Sequence, residues 1–343
     1  MFTRQAWLNL GAVAAVVAGL TLIVVRNAPG QVGQQLVNVS YDPTRELYQA
    51  LDPLFTAAYE KETGQHLTVA QSHGGSSRQA RKVIAGELSA DVVTLGLFSD
   101  VDTLRKRGLI AANWADRLPN HSEPYTSTIV FVVRRGNPFA VKDWPDLLIP
   151  GLDVITPDPR TSGNGKLAAL AAWAATTTRG GTEAQALAYL EALYQHVPVL
   201  DEAARGAADT FALLDVGDVH LTWENEALRE VATSKGKLEI VYPPVSILAE
   251  PCVAWVDSTV ARDGNLAPAT AYLTFLFSEA AQETIARMGY RPYKAEAATK
   301  AGVVFPKNTL VPVTAIARDW DDANDKFFGE NGIIPTFLGP RQP

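Results

Sequence analysis

The sequence predicts an α/β protein built as two lobes. Short strand-like runs alternate with helical segments from about residue 36 onward. Some of these runs, such as 91–95 with its Val92-Val93 centre, are short and largely apolar and suit a strand buried on both faces. No 20–50-residue repeat and no low-complexity linker divides the chain. Alternation of this kind implies parallel sheets with helices on both faces. Without a linker, two lobes joined by crossing strands fit better than two domains on a string.

Residues 36–39 form the first strand. Asp42-Pro43 then opens a helix, with Asp42 as N-cap and proline in the first turn. Leu47, Leu51, Leu54, Phe55, Ala58 and Tyr59 share one face of that helix, and Gly64 ends it. A strand at 67–70 precedes a helix over 76–88, with Ala80, Val83 and Ile84 turned inward. The strand at 91–95 leads to a helix ending at Gly108. Beyond Pro124, residues 127–133 are the most strand-like in the chain. The rhythm continues with a strand at 154–155, helices over 167–175 and 183–194, and strands at 218–221, 238–241 and 253–256. Helices over 268–277 and after Ser278 complete it.

At 343 residues the chain holds two domains or one large one and can bury a core without covalent staples. Hydrophobic residues at 47% and charged residues at 20% exclude a disordered chain. The single cysteine, Cys252, excludes an internal disulfide and a cysteine-based zinc site. A formal net charge of −7 argues against non-specific nucleic-acid binding, though not against an anionic ligand. Residues 6–25 are almost unbroken apolar sequence between Arg4 and Arg26. Residues 1–30 therefore read either as a signal peptide, with Ala28-Pro29-Gly30 as the cleavage region, or as a membrane anchor through 6–25. In both cases the rest works outside the cytoplasmic membrane, where Cys252 is expected to act as a small buried hydrophobe.

Four segments have the makings of a site. Ser72-His73-Gly74-Gly75-Ser76-Ser77-Arg78-Gln79 joins a strand to a helix, and its glycines admit close approach of a ligand. The helix start offers free N–H groups, while Ser76-x-x-Gln79 also reads as a plain capping box. Thr161-Ser162-Gly163-Asn164-Gly165-Lys166 is a second helix start. It imitates a dinucleotide fingerprint, but Pro157 and Pro159 part it from the strand, and Arg160 and Leu167 break a P-loop. Ala203-Ala204-Arg205-Gly206 opens a third helix. Thr222-Trp223-Glu224-Asn225-Glu226 ends a strand with a tryptophan, which is either core or an indole N–H donor. Catalytic patterns are thin. The five histidines are scattered, no Gly-x-Ser-x-Gly elbow occurs, and His73-Gly74-Gly75 resembles an esterase oxyanion loop without a nucleophile.

Several strings in one order resemble the periplasmic sulfate-binding proteins, the substrate-capturing subunits of sulfate/thiosulfate ABC importers. They are NVSYDPTRELY at 38–48, QSHGGS at 71–76, ADVVTL at 90–95, LP at 118–119, PYTSTIVF at 124–131, WENEA at 223–227 and ILAEP at 247–251. The resemblance spans about 38–291 and implies a type II periplasmic-binding fold. One lobe would take 36–121 with 250–305 and the other 122–249, with 306–343 unassigned. It implies a periplasmic monomer that binds sulfate or thiosulfate, works with a membrane permease, and has no cofactor, metal or catalytic residue. The implied donors are the N–H and hydroxyl of Ser76, the Ser162 hydroxyl, the N–H groups of Gly163, Asn164 and Ala204, and the Trp223 indole. Asp42 and Arg205 would pin the loops from behind. Two departures stand out: Asn164 replaces a second glycine, and Glu202-Ala203 replaces Ser-Gly.

A donor-only site suits a fully ionised dianion, whereas phosphate keeps a proton near neutrality and needs an acceptor. Glu224 and Glu226 must then point away. The rival readings are a receptor of the same fold for molybdate or phosphate, and an exported serine hydrolase using Ser76.

Overall fold

A computed structural model describes residues 34–339. The segments 1–30 and 6–25 read as leader or anchor lie outside the described residues. Among the described residues no helix is long and apolar enough to cross a membrane.

The first lobe begins with β1 (Gln34–Tyr41), which runs through a 3-10 turn over Asp42–Thr44 into α1 (Arg45–Thr63). Asp42 is therefore inside the first turn rather than its N-cap. Tyr41, in extended conformation, precedes the turn, and the Asp42 carboxylate is engaged elsewhere. Leu47, Leu51, Phe55 and Tyr59 are buried, but Leu54 and Ala58 are exposed at the edge of the face. Gly64 closes α1 in the left-handed region, φ 70°. Next come β2 (Leu67–Gly74), α2 (Ser76–Ile84), β3 (Val92–Leu95) and α3 (Phe98–Lys106).

The chain then crosses to the second lobe through β4 (Tyr125–Thr126) and β5 (Ile129–Arg134). In β5, Val130 and Val132 pack on one side, and Ile129, Phe131 and Val133 on the other. That two-sided burial is why its sequence shows no polar alternation. After β6 (Val154–Ile155) come α4 (Gly163–Thr177), α5 (Glu183–Gln195), α6 (Ala204–Ala212), β7 (Val219–Trp223), α7 (Glu224–Thr233) and β8 (Leu238–Val241). Residues 163–175 of α4 are buried on all sides, as expected of a central, alanine-rich helix. The return passes through β9 (Val245–Ile247) to β10 (Cys252–Trp255), then β11 (Arg291–Pro292) and β12 (Thr309–Val311).

The two main sheets are ordered β10-β3-β1-β2 and β6-β7-β5-β8. Both are mixed rather than parallel. β1 is parallel to β2 and β3, and β6 to β7, but β10 and β5 run antiparallel to their neighbours. The exceptions are strands that enter from the other lobe. A parallel neighbour needs a helical crossover within the same sheet, and a strand arriving from across the cleft is free of that requirement. The last segment pairs β12 with β9 and lies against α4 and α5. There Phe327 meets Trp173 at 5.0 Å, Phe337 meets Tyr194 at 5.4 Å, and Arg160 donates to the Gly339 carbonyl at 2.9 Å. It reaches the first lobe through the Lys106–Asp321 ion pair.

At the crossing, Ser127 and Ala249 exchange backbone hydrogen bonds of 2.9 and 3.0 Å. Cys252 beside them is fully buried, and burial raises its thiol well above the ordinary value, so it packs as an inert hydrophobe. Glu123 and Glu250 share this region. Burial, with the Glu250 charge adding to it, pushes Glu123 up to about 8. A carboxyl raised in the folded state favours folding below its unfolded value, and that contribution is lost as pH rises through the folded value. Stability should therefore fall between about pH 4.5 and pH 8. In urea unfolding at pH 5 and pH 8, Glu123→Gln should shrink the difference between the two; an unchanged difference would exclude Glu123 as its source.

Candidate functional site

Three helix starts and the carboxyl ends of β1 and β7 meet at one cavity between the lobes. It is small and is lined by Ser76, Ser162, Gly163, Asn164, Ala204 and Trp223, with Tyr41, Asp42, Pro43 and Gly75. The fold thus brings together all six residues singled out as ligand donors. A larger hollow of about 890 Å³ opens beside α2 and α3, but its lining mixes Arg81, Lys106 and Lys166 with Asp100, Asp321 and Asp325.

Ser76 is the first residue of α2, and Gly75 is its N-cap. The capping box expected of Ser76 and Gln79 does not form. Ser76 Oγ accepts from the Gly96 N–H at 3.0 Å, while Gln79 Nε2 donates to the Ser40 carbonyl at 3.2 Å and the Ser72 carbonyl at 2.9 Å. The backbone of β1 and β2 outcompetes the local bond, and the Ser76 hydroxyl keeps its own hydrogen to donate. Ser162 is the N-cap of α4, yet its side chain makes no capping bond. Ala204 is the first residue of α6 after Ala203 at φ −150°, an extended backbone that any residue adopts, so the missing glycine there carries no strain. Each of these helix starts presents N–H groups without intrahelical partners and a partial positive charge.

Trp223 ends β7. It is 1% exposed and tilted against Tyr41 at 5.3 Å. Its Nε1 is buried without a hydrogen-bond partner. Leaving such a donor unsatisfied costs about 1–3 kcal/mol, so Trp223 is both core and a donor in want of an acceptor.

The glycines of the Gly163-x-Gly165 spacing serve close packing rather than a nucleotide. A Cβ on Gly163 would lie 3.3 Å from the Ser76 Cβ, and one on Gly165 would lie 2.3 Å from the Pro157 carbonyl oxygen. Gly75 sits at a close backbone contact between the lobes: a Cβ there would lie 2.9 Å from the Thr161 carbonyl oxygen. Nearby, Arg78 of the first lobe is paired with Glu202 of the second.

Ionised groups surround the cavity but neutralise one another. Asp42 accepts from Arg45 at 2.8 and 3.1 Å and from the Arg205 N–H at 3.3 Å. The Arg205 guanidinium turns away to Glu46, in two bonds of 3.0 and 2.9 Å, and to Glu226 at 3.4 Å. Burial pulls the Arg205 proton off, but Glu46 and Glu226 outweigh it and hold the group above its ordinary value. Glu226, pushed up by burial to about 7 against the pull of Arg205 and Arg229, is held between those two arginines. Glu224 is fully buried on Arg291, with bonds of 2.6 and 3.0 Å. Neither glutamate lines the cavity, as a donor-only site requires. His73, lowered by burial, sits 3.5 Å from Thr44 Oγ1. Ser76 bonds an amide and not a histidine, so it lacks the adjacent base that activates a nucleophilic serine. Among the described residues no cluster of three or more His, Cys, Asp or Glu is placed to hold a metal.

Sequence reasoning missed Gly96, whose N–H orients Ser76, and the walls formed by Tyr41 and Pro43. Tyr41 had a signal, since it sits where a strand runs into Asp42-Pro43. Gly96 had none, because its role depends on strands distant in sequence. The Asn164 side chain was also missed; it bonds the Leu221 carbonyl and the Trp223 N–H of β7.

Residues 44–291 match the family model for bacterial extracellular solute-binding proteins. The chain is 46% identical to a sulfate-binding protein of Salmonella typhimurium, covering 92% of this chain and 96% of that one. It is 42% identical to a thiosulfate-binding protein of Pseudomonas aeruginosa over 94% of this chain and 96% of that one. Among solved structures, the sulfate-binding protein SubI of Mycobacterium tuberculosis superposes with a TM-score of 0.78 at 30% identity, covering 86% of this chain and 99% of that one. With the strand order, the interlobe cavity and this similarity over nearly its whole length, the chain belongs to the family of bacterial extracellular solute-binding proteins that includes the sulfate- and thiosulfate-binding proteins.

Proposed function

We propose that this protein is an extracytoplasmic receptor for sulfate, with thiosulfate as the related cargo, and that it hands its ion to the permease of an ABC importer. It works in the periplasm as a monomer and carries out no catalysis. In this reading one lobe comprises 36–121 with 250–305 and the other 122–249. The observation that carries it is the character of the cavity. Donors from both sides line it, Trp223 Nε1 has no acceptor among the described residues, and the one carboxylate in its lining, Asp42, accepts from Arg45 and Arg205.

Such a wall suits a tetrahedral dianion that only accepts. Ser76 would give its N–H and hydroxyl, Ser162 its hydroxyl, Gly163, Asn164 and Ala204 their N–H groups, and Trp223 its indole. About seven charge-assisted bonds at ~1.5–3 kcal/mol each give ~10–20 kcal/mol. Association costs of ~4–15 kcal/mol offset much of this, and a residue near −8 kcal/mol corresponds to about micromolar affinity. Monohydrogen phosphate needs an acceptor, and the carboxylate at the cavity edge, Asp42, already accepts from Arg45 on Oδ1 and from the Arg205 N–H on Oδ2.

Calorimetry with sulfate, thiosulfate, molybdate and phosphate tests the assignment. Sulfate or thiosulfate should bind at micromolar or better and phosphate far more weakly; phosphate binding as tight as sulfate would end the donor-only argument. Trp223→Phe should weaken sulfate binding by ~1.5–3 kcal/mol, one charge-assisted bond, and unchanged affinity would remove the indole from the site. In Gly75→Ala the new methyl meets the Thr161 carbonyl only when the lobes are closed. Overpacking of ~1–3 kcal/mol should then appear as weaker sulfate binding with the ligand-free melting temperature unchanged; a lowered melting temperature at normal affinity would place the clash outside closure.

A further inference from the structure

β6 ends early. Its parallel pairing with β7 joins Val154 to Val219 and Ile155 to His220, and there it stops. Continued by two residues, the register would set Pro157 opposite Thr222. In a parallel ladder that residue would donate its N–H to the Leu221 carbonyl and accept from the Trp223 N–H. Proline has no N–H to give. On the other edge of β7, β5 pairs through to Trp223 and Glu224 donates to the Thr128 carbonyl at 3.0 Å, so these two groups of β7 face away from β5.

The Asn164 side chain fills that gap. Its Nδ2 donates to the Leu221 carbonyl at 3.0 Å, and its Oδ1 accepts from the Trp223 N–H at 3.1 Å, both in buried surroundings. A carboxamide presents a donor and an acceptor on one edge, as the N–H and C=O of one extended residue lie on one side of its strand. We propose that Asn164 is a positioning residue: its side chain supplies the donor and acceptor that a further β6 residue would have offered, locks the backbone of Trp223, and thereby holds the indole N–H on the bound anion. This rests on reading the cavity as the anion site. It also joins two sets of donors, because the residue whose N–H lies at the start of α4 now braces the strand that carries the indole. Gly165 permits this approach by letting the first turn of α4 settle on the 157–159 backbone.

The test has a ligand-free arm and a binding arm. In amide hydrogen exchange without ligand, Asn164→Ala should speed exchange of the Trp223 N–H at least ~10-fold and leave Thr222, bonded to β5, unchanged. Asn164→Asp keeps the acceptor and should keep that N–H protected, which shows the effect in a second folded variant. In the binding arm, Asn164→Ala should weaken sulfate binding about 10-fold, mainly through faster dissociation. In a Trp223→Phe background the same change should have little further effect, because the side chain acts through Trp223. Full protection of the Trp223 N–H in Asn164→Ala, or additive losses in the double variant, would overturn the proposal. A wild-type chain that ignores sulfate would strike the anion reading instead, and the exchange arm would still decide the role in the ladder.

Discussion

The structure turns on buried donors that face one another with no acceptor between them. Protein interiors pair their polar groups almost completely, and a wall of helix starts, hydroxyls and an indole N–H with no acceptor of its own is a standing invitation to an anion. Everything near the cavity keeps that wall intact. Carboxylates are turned outward onto arginines, Ser76 is oriented by an amide that uses its acceptor side, and the Trp223 nitrogen is shielded by packing against Tyr41. Dipoles fixed in place before the ligand arrives lose little on binding, which is how an acidic chain can hold an anion.

The fold assembles this wall from pieces distant in sequence. Each lobe brings helix starts to the carboxyl ends of its strands, the usual place for ligands in open α/β sheets. Neither lobe holds the full set: Ser76 comes from one, and Ser162, Gly163, Asn164, Ala204 and Trp223 come from the other. Closure is therefore part of the site. Gly75 permits it by letting backbone meet backbone, and the Arg78–Glu202 pair spans the same seam. Opening separates the donor sets at once, which gives a binding protein a way to release what it holds.

Much of this was legible in the sequence. Element types followed from periodicity and from glycine and proline punctuation, and the α/β class followed from their alternation. The six candidate donors followed from the family resemblance as a whole, and only Ser76 and Trp223 lie within its quoted strings; Ser162, Gly163, Asn164 and Ala204 stand at helix starts. The remainder was hidden for physical reasons. Strand direction in β5 and β10 depends on the crossing between lobes, which no local pattern records. Ser76 and Gln79 spell a capping box, but tertiary bonds to Gly96, Ser40 and Ser72 claim both side chains. In the sequence Asn164 is only a departure from a second glycine, and the early end of β6 is what gives its carboxamide a role.

The outward-turned ion pairs have a further consequence. Dissolved salt screens exposed charges over about 10 Å at 0.1 M, but Glu224 with Arg291 and Arg205 with Glu46 are already matched. The cavity itself presents dipoles rather than net charge. A protein that works beyond the cytoplasmic membrane meets a medium whose salinity the cell does not control. Its hold on the ion would then vary little with the ionic strength outside, where a lysine-lined pocket would weaken as salt rises.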